Sequence, residues 1–179
     1  MRTLSILLIC VLPGHGLAAQ DLAGATSTPE DAIDVLFQAG EKAYHGGDYN
    51  TAIARYSEVL ERDSDHLNAY LQRGFCHTLL REYEAAVRDL SAVIARKSDH
   101  VWAYTSRGSA YNKLEQYDKA IADFDRVLSL DPTDQEAFNN RGWSYKGKGD
   151  MKAACRDWKE SRKMGNAEAK IILSNNRCK

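Results

Sequence analysis

Residues 101–134 read VWAYTSRGSAYNKLEQYDKAIADFDRVLSLDPTD. The stretch contains two helices. In VWAYTSRGSAYNKL, large and small apolar residues recur at helical spacing. In YDKAIADFDRVLSL they recur at i, i+3, i+4 and i+7, the stripe of a helix with one buried face. Asp131-Pro132-Thr133-Asp134 then ends the second helix, since Pro cannot continue it and Asp or Thr can cap the next.

The same pattern returns on both sides at a step of 34 residues. Gly40, Gly74, Gly108 and Gly142 keep that step, and so do Ala52, Ala86, Ala120 and Ala154. Tyr49, Tyr83 and Tyr117 form a column completed by Met151. Tyr56, Leu90, Phe124 and Trp158 form a large-apolar column, and Val59, Val93 and Val127 another that fails at Ser161. Leu36, Tyr70, Tyr104 and Phe138 make a further column. Polar turns separate the helices of a unit, as in Gly46-Gly47-Asp48 and Gly147-Lys148-Gly149-Asp150. Glycine inside a helix costs about 1 kcal/mol against alanine, so four in one column point to close contact there. The first helix has its own start signal in Thr28, Pro29, Glu30 and Asp31.

These columns, with Pro132, resemble the tetratricopeptide repeat (TPR) over units 33–66, 67–100, 101–134 and 135–168. The valine column replaces a small residue frequent in that family, and only one of the family's prolines survives, at Pro132. The resemblance implies an all-α fold: an α-solenoid of four antiparallel helix pairs over 29–168. Residues 166–179 then supply a capping helix and tail over the apolar face of the last unit. It also implies peptide or protein binding on the concave face. Relatives that clamp a chaperone's terminal carboxylate use Lys, Asn and Arg at set groove positions. The corresponding positions here include Phe37, Glu41, Leu71, Gln72, Phe75, Trp102 and Ser106, which lack the cations. Leu71, Phe75, Trp102 and Trp143, with Asn112 and Asn139 beside them, form the expected binding stripe. The alternative is that these rings pack on neighbouring first helices or under the tail 20–28.

The N-terminus carries Arg2, an apolar run over 4–12, the break Pro13-Gly14 and the small residues Ala18 and Ala19. This predicts an export signal over 1–19, too short to span a bilayer, followed by a flexible tail over 20–28. The protein is expected in a periplasm or outside the cell, as a scaffold or assembly subunit; an uncleaved anchor or buried first helix is the alternative. Ile9 before Cys10 argues against lipidation. Lys and Arg number 24 against 25 Asp and Glu, a net charge of −1. That lacks the basic field of a nucleic-acid or membrane-surface binder. Self-association is a further expectation.

No nucleophile elbow, phosphate-binding glycine loop or HExxH is present, so no catalysis, cofactor or metal is expected. His66 and His100 share one repeat position. Cys76 falls in a column of mostly small residues, as a packed thiol would. Cys155 and Cys178 are equidistant from the turn at Gly165-Asn166, so a hairpin brings them level and export permits a disulfide. The competing function is a thiol-dependent redox enzyme or sensor using Cys76, Cys155 or Cys178. Finally, Arg73–Asp89, Arg107–Asp123 and Arg141–Asp157 mirror one another across the intra-unit turns and predict a ladder of ion pairs.

Overall fold

The computed structural model describes residues 29–178. The expected export signal over 1–19, the tail over 20–28 and the Thr28 cap lie outside the described residues. Nine α-helices and no strands occur among the described residues: α1 Pro29–His45, α2 Tyr49–Arg62, α3 Leu67–Leu79, α4 Tyr83–Arg96, α5 Val101–Lys113, α6 Tyr117–Leu130, α7 Gln135–Gly147, α8 Met151–Lys163 and α9 Glu168–Asn175. Each odd helix pairs with the even helix after it, and each even helix packs on the next odd one. The four pairs and the final helix therefore form a solenoid.

The glycine column and the large-apolar column meet inside each pair. Tyr56, Leu90, Phe124 and Trp158 are all fully buried. A Cβ at Gly40 would lie 2.6 Å from the Tyr56 ring, one at Gly108 2.9 Å from Phe124, and one at Gly142 2.5 Å from the Trp158 indole nitrogen. At Gly74 the nearest atom is Leu90 Cγ, at 3.2 Å. The space of the missing side chain is thus filled by the ring opposite. Where the large residue is aliphatic the fit is looser.

Five helix starts share one scheme, while those of α4, α6 and α9 have no side-chain cap. The side chains of Asp48, His66, His100, Asp134 and Asp150 each accept a hydrogen bond from the backbone N–H three residues on. His66 and His100 do this with Nδ1, at 3.0 and 3.2 Å from Ala69 N and Ala103 N. The recurrence of histidine is therefore a capping role. The intra-unit turns close in the left-handed region at Gly47, Arg81, Glu115 and Gly149, again one per repeat. The backbone N–H after each returns to a carbonyl five residues earlier, which satisfies a helix-end acceptor. Two of the four turns do this without glycine, which hides the motif from a glycine-based reading.

The arginine ladder forms within units. Arg73 holds Asp89 through two bonds of 2.8 and 2.7 Å, Arg107 holds Asp123 at 2.9 and 2.7 Å, and Arg141 holds Asp157 at 2.7 and 2.8 Å. The third nitrogen reaches back to the preceding unit: Arg73 to Ser57 Oγ at 2.9 Å, Arg107 to Ser91 Oγ at 3.0 Å and Arg141 to Asp125 Oδ1 at 2.6 Å. One guanidinium thus ties three helices. The carboxylates are buried. Burial pushes the Asp123 carboxyl above its ordinary value even with Arg107 alongside, so the ion pair does not fully offset desolvation. In the first unit, where Ala39 replaces the arginine, Arg55 pairs locally with Glu58 at 2.6 Å.

The array ends as a hairpin of α8 and α9. Gly165 turns the chain at φ 107°, and Asn166 Oδ1 accepts from Glu168 N and Ala169 N. Ala169 and Leu173 are buried, and Leu173 packs on Trp158. Cys155 and Cys178 form a disulfide, with their Cα atoms 5.5 Å apart. Ser161, where the valine column fails, is fully buried and donates to Gln135 O at 2.8 Å.

Two predictions follow from this packing. Arg107→Ala leaves a buried carboxylate without its partner and is expected to cost about 3–5 kcal/mol. Adding Asp123→Ala is expected to recover part of that loss in urea unfolding, and a coupling near zero would remove the clamp. Gly142→Ala overpacks against Trp158 and is expected to cost about 1–3 kcal/mol. Gly74→Ala, facing the more yielding Leu90, is expected to cost less; thermal unfolding in the opposite order would contradict the ring-over-glycine account.

Candidate functional site

Contacts between α3 and α5, and between α5 and α7, place the first helices of the units along one inner face. Between α5 and α7 this face opens into a groove of about 560 Å³. Ser109, Asn112 and Lys113 line it from α5, Asn140, Trp143, Lys146 and Gly147 from α7, and Tyr117 from the start of α6. The Tyr117 ring packs where a side chain at Gly147 would stand, so that glycine makes room for one wall.

The groove's aromatic side chain is fixed from behind and exposed in front. Trp143 is 40% exposed and stands edge-on to buried Trp158, with ring centroids 5.1 Å apart. The Lys146 ammonium lies 4.8 Å from the centre of the Trp143 ring, an attraction between cation and ring face. Asn112 donates to Asn140 O across the groove at 3.5 Å, while its own Oδ1 is buried without a partner. The arrangement offers a flat exposed ring and two exposed cations, Lys113 and Lys146.

Of the six residues expected to bind, Asn112 and Trp143 come together in this groove. Leu71 and Phe75 are half-buried against the cluster of Ala86, Leu90, Val93 and Ala103. They pack against side chains of α4 and α5. Trp102 is 71% exposed at the start of α5, two turns before Ser109 on the same helix face, and does not line this groove. Asn139 needs correction. It is buried at 8% exposure and is not among the groove-lining residues; its backbone carbonyl accepts from Trp158 Nε1 at 3.2 Å. Its neighbour Asn140 takes that place.

Ser109, Lys113, Tyr117, Asn140, Lys146 and Gly147 were not anticipated. Their signal lay in the columns: Ser109 and Trp143, Asn112 and Lys146, and Lys113 and Gly147 are each one repeat apart. Equivalent positions of successive first helices face each other across the groove. A search by column finds them; a search for apolar rings does not.

Cys76 is fully buried, and burial pushes its thiol up to about 11. It is therefore a protonated, enclosed thiol at neutral pH. Among the described residues no three His, Cys, Asp or Glu side chains gather to hold a metal ion. No described helix is long and apolar enough to cross a membrane.

Comparison with known proteins agrees with this architecture. No curated protein matches the sequence. Among solved structures, MamA is similar at 26% identity and TM-score 0.71, over 77% of this chain and 81% of that one. MamA residues 41–end from Desulfovibrio magneticus RS-1 is similar at 26% identity and TM-score 0.72, over 80% and 78%. The first TPR of Spaghetti (RPAP3), bound to the HSP90 peptide SRMEEVD, is similar at 26% identity and TM-score 0.60, over 65% and 95%. Two family models described as tetratricopeptide repeat match residues 37–101 and 101–134, together more than half of the sequence. The chain belongs to the tetratricopeptide repeat family.

Proposed function

We propose that this chain is an exported, non-catalytic scaffold that captures an extended or helical peptide segment of a protein partner in the groove between α5 and α7. One observation carries the reading: Trp143, braced by Trp158, presents its exposed ring in a groove large enough for several side chains. A rigid aromatic anchor in an open groove suits peptide capture. The similarity to a TPR domain seen with a bound peptide supports the same reading.

Export to a periplasm or to the exterior is supported by the N-terminal residue pattern and fits the disulfide, which persists in oxidising compartments. In that setting the chain acts as an assembly subunit of a larger complex. The near-neutral charge makes nucleic acid a poor partner. A chaperone-type acidic terminus is also disfavoured, since the positions that would clamp it carry Phe37, Leu71, Phe75 and Trp102. The thiol-based alternative would need an accessible thiolate, which Cys76 does not offer.

The test is capture of partners from the envelope extract of the source cell, followed by peptide identification. Ser109→Trp fills the groove without deleting a contact and is expected to abolish capture. Trp143→Ala is expected to weaken it by about tenfold or more while circular dichroism shows the fold retained. Capture unchanged by both variants would refute the groove. For the thiol reading, Cys76 in native protein is expected to resist a thiol reagent at neutral pH and to react once the chain is denatured. Rapid reaction in the native state would revive the redox alternative.

A further inference from the structure

The chain's near-zero net charge conceals a strong separation along the array. Residues 29–66 carry nine Asp and Glu against three Lys and Arg, a net of −6. Residues 151–179 carry eight Lys and Arg against three Asp and Glu, a net of +5. These are the two ends of the solenoid, because each helix packs chiefly on its neighbours in sequence.

At the rear end, a second groove of about 510 Å³ lies between α8 and the segment after α9. Lys152, Arg156, Lys159 and Arg177 line it together with the Cys155–Cys178 disulfide. Lys152 and Arg156 are exposed, one helical turn apart, and neither they nor Arg177 has a carboxylate partner among the described residues. α9 adds Lys170 and Ile171, the latter 64% exposed. At the front end α1 presents the complement. Glu30 and Asp34 are exposed, also one turn apart, and neither has a basic partner among the described residues. Val35 beside them is 65% exposed.

We infer that the rear groove binds the α1 face of a second copy of this chain, head to tail. The two i, i+4 pairs match in spacing and oppose in sign. Each end also carries one exposed aliphatic residue, Val35 and Ile171. Net charge near zero leaves little overall repulsion between copies to oppose it. The contact is heterologous, so it propagates into an open chain or closes into a ring. The disulfide holds Arg177 and the tail against α8, so it shapes the receiving groove. The inner groove between α5 and α7 uses none of these residues and stays open in such an assembly, and the inference stands whether or not that groove binds a peptide.

The experiment is sedimentation of the purified chain over a concentration series at low and high ionic strength. The average mass is expected to rise with concentration at low salt. It is expected to fall to the monomer at 1 M salt, where charges are screened beyond about 3 Å. Lys152→Glu with Arg156→Glu is expected to weaken association by about tenfold or more, and so is Glu30→Lys with Asp34→Lys. Mixing the two doubly substituted chains restores opposite charges across the contact and is expected to restore association. Lys152→Gln with Arg156→Gln replaces the reversal if circular dichroism shows that variant unfolded, and is expected to weaken association as well. A wild-type chain monomeric at low salt, association indifferent to these substitutions, or a mixture that stays dissociated would each overturn the inference. So would a monomeric chain that sediments with anionic phospholipid vesicles, which would assign the basic groove to a lipid surface.

Discussion

The fold depends on one steric constraint: a bulky side chain on each second helix occupies the space where a first-helix residue lacks a side chain. Tyr56 over Gly40, Leu90 over Gly74, Phe124 over Gly108 and Trp158 over Gly142 repeat that contact in every unit. Because the large side chain is fully buried at each site, it fixes both how closely the helices approach and where along their length they cross. A glycine there lowers intrinsic helix stability by about 1 kcal/mol, which the packed ring offsets. The other columns have room to vary once this one is fixed: a valine gives way to Ser161 and a tyrosine to Met151 without loss of the pairing.

The arginine clamp acts on a different degree of freedom. Ring-over-glycine contact sets geometry within a pair, but units must also be set relative to one another. Each arginine holds the carboxylate of its own unit with two nitrogens and reaches the preceding unit with the third. Forked, planar geometry is what allows this; a lysine in the same place could not span three helices with fixed directions. Burying such a pair gives uncertain net stability, as the raised Asp123 carboxyl indicates, so its contribution is to orientation. The first unit has no preceding described unit to grip, and there the arginine column holds Ala39.

Much of this was legible from periodicity, because the contacts that define the fold recur at fixed spacing and leave columns. The ion-pair partners and the disulfide followed from symmetry about a turn, and the final helix from the need to cover the last unit's apolar face. What escaped was information not carried by residue type. Asn139 and Asn140 are adjacent and chemically identical, so only the rotation of α7 decides that one supports Trp158 and the other faces the groove. The left-handed turn at Arg81 and Glu115 was hidden because the conformation recurs while the glycine does not. The arginine's third bond was missed because its acceptor changes from Ser57 and Ser91 to Asp125.

The placement of the groove follows from these same devices. Its two walls, α5 and α7, are the helices that carry Arg107 and Arg141. Arg107 fixes α5 to α4 and α6, and Arg141 fixes α7 to α6 and α8. Both walls are therefore referred to the common element α6, which also contributes Tyr117 to the lining. Trp143 is held in turn by Trp158, the bulkiest member of the ring column, itself covered by Leu173 of the final helix. A partner entering the groove meets walls and an anchor already fixed by buried contacts, so little conformational freedom remains to be lost on binding. The buried contacts that set the solenoid's register thus also preorganise the groove on its inner face.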